Sequence, residues 1–97
     1  METRVTWVKG SFFLKDKGRF FNVITVRGTG NRYVFECMDV ESKQRQVFTY
    51  EMLGLPEVFD AAASVMTDQK DILLVDLDNQ GRWKMLSRDE VDRISRS

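Results

Sequence analysis

The chain has 97 residues, which is enough for one domain with a modest core and too few for two. Hydrophobic residues make up 42% and charged residues 31%, as in ordinary globular proteins, and no segment approaches the roughly 20 apolar residues of a membrane span. The formal net charge is zero, unlike the basic balance of a dedicated nucleic-acid module. We therefore expect a single domain over residues 1–97 that does not enter a membrane.

The charges are distributed unevenly along the chain. Residues 1–50 hold nine Lys and Arg against five Asp and Glu, and residues 51–97 hold six against ten, so the halves carry +4 and −4. Such asymmetry can mark a basic binding face, or two surfaces that attract each other within one domain. We favour the second interpretation and keep nucleic-acid binding by the basic half as the alternative.

Location is predicted from the N-terminus and the cysteine content. The first residues lack a basic region followed by an apolar run, so no secretory signal is expected. Cys37 is the one cysteine and cannot form an intramolecular disulfide. Both features favour a reducing cytoplasm.

Short runs rich in β-branched and aromatic residues dominate the first half of the chain. Five strands are predicted, over residues 3–8, 11–15, 19–26, 32–39 and 44–50. Glycine and small polar residues separate the last four runs and permit tight reversals. The pattern predicts an antiparallel five-stranded meander in residues 1–50, with an SH3-like or other small barrel as the expected architecture.

The spacing of apolar residues changes after Tyr50, and residues 51–97 are predicted to form an α/β part packed on the first. Pro56 suits the first turn of a helix, which we predict over residues 56–67 with one apolar stripe of Val58, Ala62, Val65 and Met66. The apolar run 72–75, a turn over 78–81 and the segment around Trp83 predict a β-hairpin whose first strand is buried on both faces.

A short C-terminal helix is predicted from Ser87-Arg88-Asp89-Glu90. This spacing matches the capping box, in which an N-cap serine and a glutamate three residues later bond to each other's free backbone N–H groups. The helix should continue through Val91 and Ile94. The whole chain is thus predicted to be α+β.

Two adjacent phenylalanine pairs, Phe12-Phe13 and Phe20-Phe21, lie on the first predicted hairpin. Neighbouring residues of a strand point to opposite faces, so each pair sends one ring to each side of the sheet. A four-residue loop over 15–18 would set Phe12 opposite Phe21 and Phe13 opposite Phe20. The alternation predicts two apolar faces: Phe12, Leu14, Phe21 and Val23 on one, and Phe13, Phe20, Ile24 and Val26 on the other.

A two-layer domain has one inner face, so the second of these faces must be covered by the C-terminal helices or remain exposed. We favour coverage by the helix over 56–67, because monomers rarely expose large apolar patches. An exposed ring pair with basic neighbours would instead form a binding hot spot with a charged rim. The candidate partner-binding residues are therefore Phe12, Phe13, Lys15, Lys17, Arg19, Phe20 and Phe21.

The residue inventory argues against most enzymatic chemistry. The chain has no histidine, which removes the commonest general base and metal ligand, and a single cysteine excludes a four-cysteine zinc site. Cys37 lies in the middle of a predicted strand without an adjacent base, as expected for a buried structural thiol. We predict no cofactor and no metal site.

The segment Ile72-Leu73-Leu74-Val75-Asp76-Leu77-Asp78 resembles the first motif of haloacid-dehalogenase-type phosphatases, a hydrophobic strand that ends in Asp-x-Asp. The resemblance implies a nucleophile at Asp76 and a general acid and base at Asp78, beside magnesium. It covers seven residues, and the 19 that follow Asp78 leave no room for the family's doubly wound sheet. We expect a hairpin turn here, and a carboxylate-based metal enzyme ranks third among our hypotheses.

From the sequence we predict a small non-enzymatic module that binds another protein, as an adaptor, inhibitor or accessory factor. Proteins of this size and kind are often encoded by phages or mobile elements. The alternative is a nucleic-acid-binding barrel that uses the basic N-terminal half. The oligomeric state is left open by the sequence.

Overall fold

The structure is a computed structural model that describes residues 3–5, 7, 9–52 and 54–96. As predicted, the first half of the chain forms strands and the second half contains both helices and strands, which confirms the α+β class. In chain order they are β1 (Thr3–Arg4), β2 (Phe12–Asp16), β3 (Arg19–Thr29), β4 (Arg32–Asp39), β5 (Arg45–Glu51), α1 (Leu55–Val65), β6 (Ile72–Asp76), a 3-10 turn (Leu77–Asn79), β7 (Arg82–Leu86) and α2 (Arg88–Arg96).

The main sheet has the strand order β5-β4-β3-β2-β6-β7. Neighbouring strands are antiparallel except β2 and β6, which run parallel. The predicted meander is confirmed for β2 to β5, but β1 pairs with the far end of β3, with Thr3 opposite Gly28, and not with β2. Residues 6 and 8 of the first predicted strand lie outside the described residues.

The sheet stays open, so the predicted barrel is wrong. β6 occupies the edge of β2 and β7 adds beyond it, which extends the sheet where a barrel would have to close. The right-handed twist of the sheet nevertheless brings two corners together. The ring of Tyr50 in β5 lies against Gly81, the residue before β7, where a Cβ atom would come within 3.1 Å of the ring carbon Cε1.

The larger core lies between α1 and one face of the sheet. Phe12 and Phe21 are 5% and 2% exposed there, and the edge of the Phe12 ring meets the rings of Phe35 and Phe59. Phe59 comes from α1, whose buried residues are Leu55, Phe59 and Ala62. The buried side of α1 is therefore rotated relative to the predicted apolar stripe. Val65 of that stripe is 56% exposed, because the helix directs Phe59 towards the aromatic cluster.

Tyr33 fixes the position of α1 on this face. Its hydroxyl oxygen accepts a hydrogen bond of 2.9 Å from the backbone N–H of Leu55, the first residue of the helix. The tyrosine ring lies over Gly28 in β3, where an added Cβ atom would come within 2.5 Å of it. The glycine is thus required by the close approach of the ring.

The first hairpin keeps the predicted faces but not the predicted register. Lys15 lies opposite Phe20 and Asp16 opposite Arg19, so the loop has two residues, Lys17 and Gly18, both with positive φ as a type I′ turn requires. The observed register differs from the predicted one by two residues. A shift of two preserves the side of every residue, so Phe12 and Phe21 still share one face.

A β-bulge in β3 explains the misplaced valine. The pairing of β3 with β4 shifts between Val23 and Thr25, which inserts Ile24 as an extra residue. The insertion reverses the alternation of side chains beyond it. Val26 therefore joins the core under α1, with Phe21 and Val23, and not the face of Phe13 and Phe20.

A smaller core lies on the other face of the sheet, under α2. It joins Phe13 in β2 and Leu86 in β7 to Val91 of the helix, together with Ile72 and Leu74 of β6. The strand β6 is buried on both faces, as predicted, with four consecutive residues at most 1% exposed. Neither helix in the described part of the chain is long and apolar enough to cross a membrane.

The predicted capping box is present at the start of α2. The Ser87 hydroxyl accepts a hydrogen bond of 3.2 Å from the Glu90 N–H, and the Glu90 carboxylate accepts one of 3.3 Å from the Ser87 N–H. These bonds satisfy two backbone donors at the helix start.

The first prediction concerns the phenylalanines. Phe12→Ala and Phe21→Ala should each lower the free energy of unfolding by about 3 to 5 kcal/mol, because each leaves a cavity in the aromatic core. Phe20→Ala should cost clearly less, since its ring is only half-buried. Urea titration of the three variants provides the measurement. Equal losses for Phe20→Ala and Phe21→Ala would contradict the division of the two faces.

The second prediction concerns the capping box. Ser87→Ala should destabilise the protein by about 1 kcal/mol, the usual cost of losing an N-cap oxygen. Ser64→Ala is the control, because Ser64 is an exposed serine of α1 whose hydroxyl donates a hydrogen bond to the Ala61 carbonyl and to no other described group. Both are compared by thermal unfolding, and an unchanged midpoint for Ser87→Ala would show that the box does not stabilise the fold.

Candidate interaction surface

Only part of the second face of the sheet is covered. The cluster around Val91 of α2 covers the half formed by β2, β6 and β7. The other half belongs to β3, β4 and β5, where the side chains that point away from α1 have no helix over them in the described part of the chain. This uncovered half has no internal partner among the helices that the structure describes.

The register of the strands identifies the residues of this surface, which we call the open face. Residues directly opposite each other on paired strands share a face, so each row across the three strands contributes three side chains. None of the twelve is buried. The open face consists of Asn22, Thr25, Arg27, Thr29, Arg32, Val34, Glu36, Met38, Arg45, Val47, Thr49 and Glu51.

The open face mixes apolar and charged groups. Val47 is 65% exposed on the edge strand β5, and Val34 and Met38 are half-buried on the central strand β4. Arg27 and Glu36 form an ion pair of 3.2 Å across β3 and β4. Arg45 forms no ion pair with any described residue. The surface therefore offers aliphatic contact area with both signs of charge.

Phe20 and Lys15 lie at the boundary between the covered half and the open face. Phe20 packs with Val40 against the margin of the α2 cluster and is the least buried of the four paired phenylalanines. The Lys15 ammonium lies 5.7 Å from the centre of the Phe20 ring, within the range of a cation–π contact. These two predicted site residues are next to the open face.

The other predicted site residues are placed elsewhere. Phe12 and Phe21 are in the core under α1, and Phe13, 9% exposed, is in the core under α2. Lys17 and Arg19 are exposed at the β2–β3 turn. The structure thus separates the predicted site into core rings, a turn, and the boundary pair of Phe20 and Lys15.

Two aspartates hold the β2–β3 turn. Asp78 accepts hydrogen bonds of 2.6 Å from the Lys17 N–H and 2.9 Å from the Gly18 N–H, one on each carboxylate oxygen. These two bonds, with the nearby Lys15 charge, hold the pKa of Asp78 below its ordinary value. The second aspartate of the Asp-x-Asp segment is therefore a link between two hairpins.

Asp39, the last residue of β4, contacts the same region through Arg19. Its carboxylate forms an ion pair of 2.5 Å with Arg19 and accepts hydrogen bonds from the N–H groups of Glu41 and Ser42. Burial alone would raise the pKa of Asp39, but these two hydrogen bonds and the Arg19 charge lower it below the ordinary value. Much of the positive charge at the turn is thus balanced by carboxylates.

The first aspartate of the Asp-x-Asp segment and the thiol of Cys37 both have structural surroundings. Asp76 accepts a hydrogen bond of 3.0 Å from the Asp78 N–H and so starts the 3-10 turn. Burial, with a smaller contribution from Glu36, raises the pKa of Cys37 to about 12, which keeps the thiol protonated at neutral pH. The described residues contain no group of three or more His, Cys, Asp or Glu side chains arranged to hold a metal ion.

A cleft of about 380 Å³ opens where β3 changes neighbours. β2 accompanies β3 as far as Asn22 and β1 from Arg27 onward, so the bulge at Ile24 has no described strand beside it on that side. The indole N–H of Trp7 is buried nearby and has no hydrogen-bond partner among the residues that the structure describes. Because solvent does not reach this atom, it does not face the cleft, and Arg4 is the one charged residue in the described lining.

Sequence reasoning missed the open face itself. Its signal was an alternation in two strands, in which the side chains that enter the core are Tyr33, Phe35 and Cys37 in the first and Phe48 and Tyr50 in the second. The side chains between them could be assigned to an outer face from the sequence. Whether a helix covers that face depends on where α1 and α2 pack.

Comparison of the chain with protein-family models, with curated proteins and with solved structures found no match.

The third prediction concerns Asp78. Asp78→Ala should destabilise the protein at pH 7, because the Lys17 and Gly18 N–H groups lose their acceptor. Folding lowers the pKa of this carboxyl from 3.8, so its charge stabilises the protein above that pH and loses its effect as the pH falls through the folded pKa.

The difference in stability between wild type and Asp78→Ala should therefore narrow below about pH 4. Asn79→Ala serves as the control, since this exposed neighbour makes no side-chain hydrogen bond to another described residue. Urea midpoints measured from pH 7 to pH 3 provide the test. A difference that stays constant with pH would contradict a role for the charge.

Proposed function

We propose that the protein is a non-enzymatic binding module that recognises another protein through the open face. The observation that carries the proposal is the half-covered second face of the sheet: α2 shields β2, β6 and β7, while Val34, Met38 and Val47 remain accessible. An adaptor, inhibitor or accessory factor of the cytoplasm would act through such contacts. The single cysteine, buried and protonated, suits a reducing compartment.

The composition of the open face favours a protein partner. Protein interfaces combine an apolar centre with a polar rim, and aromatic residues and methionine are enriched in them. Met38 lies inside the open face, and Phe20 with its Lys15 neighbour lies at the boundary. The partner we infer presents apolar side chains together with charges of both signs, complementary to the Arg27–Glu36 pair.

The charge arrangement gives less support to the nucleic-acid alternative. Nucleic-acid sites are contiguous positive surfaces that follow the phosphate backbone. Three parts of the basic half contact carboxylates. Arg19 forms an ion pair with Asp39, and Arg27 forms one with Glu36. The backbone of the turn at Lys17 donates a hydrogen bond to Asp78. Lys15, Lys17 and Arg19 therefore form part of a mixed-charge surface.

The fourth prediction tests the open face by capture of cellular proteins. Met38→Glu introduces a charge into the central strand of the open face, and Met38 belongs to neither core, so folding should be retained. Proteins captured by the immobilised wild-type chain should bind this variant about tenfold more weakly or not at all, as for a residue inside a hot spot. Phe20→Ala should weaken the same interactions.

Val65→Glu is the matched control, because Val65 is 56% exposed on α1, away from the open face. It should capture the same partners as wild type. Equal capture by Met38→Glu and wild type would overturn the proposal. Binding of labelled single-stranded oligonucleotides that weakens steeply with salt, and is lost in Lys17→Ala and Arg19→Ala, would favour the nucleic-acid alternative.

A further inference from the structure

β5 is an edge strand with a free row of backbone groups. It pairs with β4 on one side, and no described strand lies on the other. The Gln44 carbonyl and the Met52 N–H both point towards β4, to Asp39 and Asn31. Because backbone groups alternate along a strand, even-numbered residues of β5 bond to β4, and the outward row belongs to Arg45, Val47, Thr49 and Glu51. All four are exposed.

The opposite edge of the sheet is protected against pairing, but β5 is not. β7 carries Arg82 and Lys84, so an antiparallel pairing of two β7 strands centred on Lys84 would oppose like charges. Such charges are a common device against edge-to-edge association. The centre of β5 is instead the uncharged run Val47-Phe48-Thr49, and the strand has no proline, glycine or bulge in its pairing with β4.

The charges of β5 are self-complementary. Arg45 begins the strand and Glu51 ends it, three residues on either side of Phe48. In an antiparallel pair of β5 strands with a two-fold axis at Phe48, Arg45 lies opposite Glu51 of the second copy, and Glu51 opposite the second copy's Arg45. Neither side chain forms an ion pair with a described residue of its own chain. Directly opposed unlike charges stabilise such a pair.

We propose that two copies of this chain associate through β5 in this register, forming one continuous antiparallel sheet across the dimer. The same register places Val47 opposite Thr49 of the second copy. Each of the four residues whose backbone groups point outward is then opposite a residue of the second copy whose backbone groups also point outward. Phe48 meets the second copy's Phe48 at a position without outward backbone bonds, where cross-strand side chains approach most closely. If the pairing of the two strands is shifted by two residues, either Arg45 or Glu51 lies opposite a residue outside β5 of the second copy.

The dimer joins the two open faces on the same side of the sheet. A two-fold axis perpendicular to the sheet keeps each face on its own side, so Val47 of each copy adjoins Thr49 of the other. The inference does not rest on the proposed function, because it concerns the edge of the sheet and is tested on the purified chain alone.

Sedimentation velocity over a range of protein concentrations tests the proposal. The wild-type chain should sediment as a dimer that dissociates on dilution. Arg45→Glu opposes two pairs of glutamates and should raise the dissociation constant about tenfold or more. The double variant Arg45→Glu with Glu51→Arg restores both attractive pairs and should return the dissociation constant towards that of wild type. Lys84→Glu, on the other edge strand, is the control and should leave it unchanged.

A backbone test complements the charge test. Thr49→Pro removes an outward N–H group and leaves the bonds of β5 to β4 in place, so it should abolish dimerisation while the circular dichroism spectrum is retained. A wild-type chain that is monomeric at every soluble concentration would overturn the proposal. A dimer that Arg45→Glu leaves unchanged, or that the double variant fails to restore, would overturn it as well.

Discussion

The parallel pairing of β2 with β6 is the constraint on which the rest of the structure depends. It sets Phe12, Phe13 and Leu14 against the apolar run 73–75 in the centre of the sheet. A strand flanked on both edges, with large apolar side chains on both faces, must be covered on both sides. The adjacent phenylalanines thus find two cores: α1 covers the ring of Phe12, and α2 covers the ring of Phe13.

The same pairing determines the outline of the molecule. Because the β6–β7 hairpin extends the sheet beyond β2, the sheet does not close, and β5 remains at its other end. α2 follows β7 directly and covers the half of the second face nearest to it. The open face and the free edge of β5 are therefore consequences of one topological choice. Their adjacency would let a partner contact the face while a second copy occupies the edge.

The Asp-x-Asp segment shows how the chemistry of a motif depends on its surroundings. After a buried strand, two aspartates can act as nucleophile and proton donor when a metal and an open cleft accompany them. Here Asp76 starts a 3-10 turn, and Asp78 binds two backbone N–H groups of another hairpin. Hydrogen bonds that lower a carboxyl pKa also make that carboxylate a weaker base, which suits a structural link.

The sequence by itself determined the local features of this protein: the α+β class, the positions of β2 to β7, the double burial of β6, the capping box at Ser87, and the separation of Phe12 and Phe21 from Phe13 and Phe20. Each follows from interactions between residues close in the chain, or from the two-residue period of a strand.

Only the tertiary structure decided the hairpin register, the bulge at Ile24 that moves Val26 to the other face, the rotation of α1 towards Phe59, and the parallel contact of β2 with β6. These depend on contacts between segments distant in sequence, as when Asp78 reaches the turn at Lys17, 61 residues away. The periodicity of one segment carries no information about its distant neighbours, so the open sheet, the open face and the free edge of β5 became visible only when the segments had packed together.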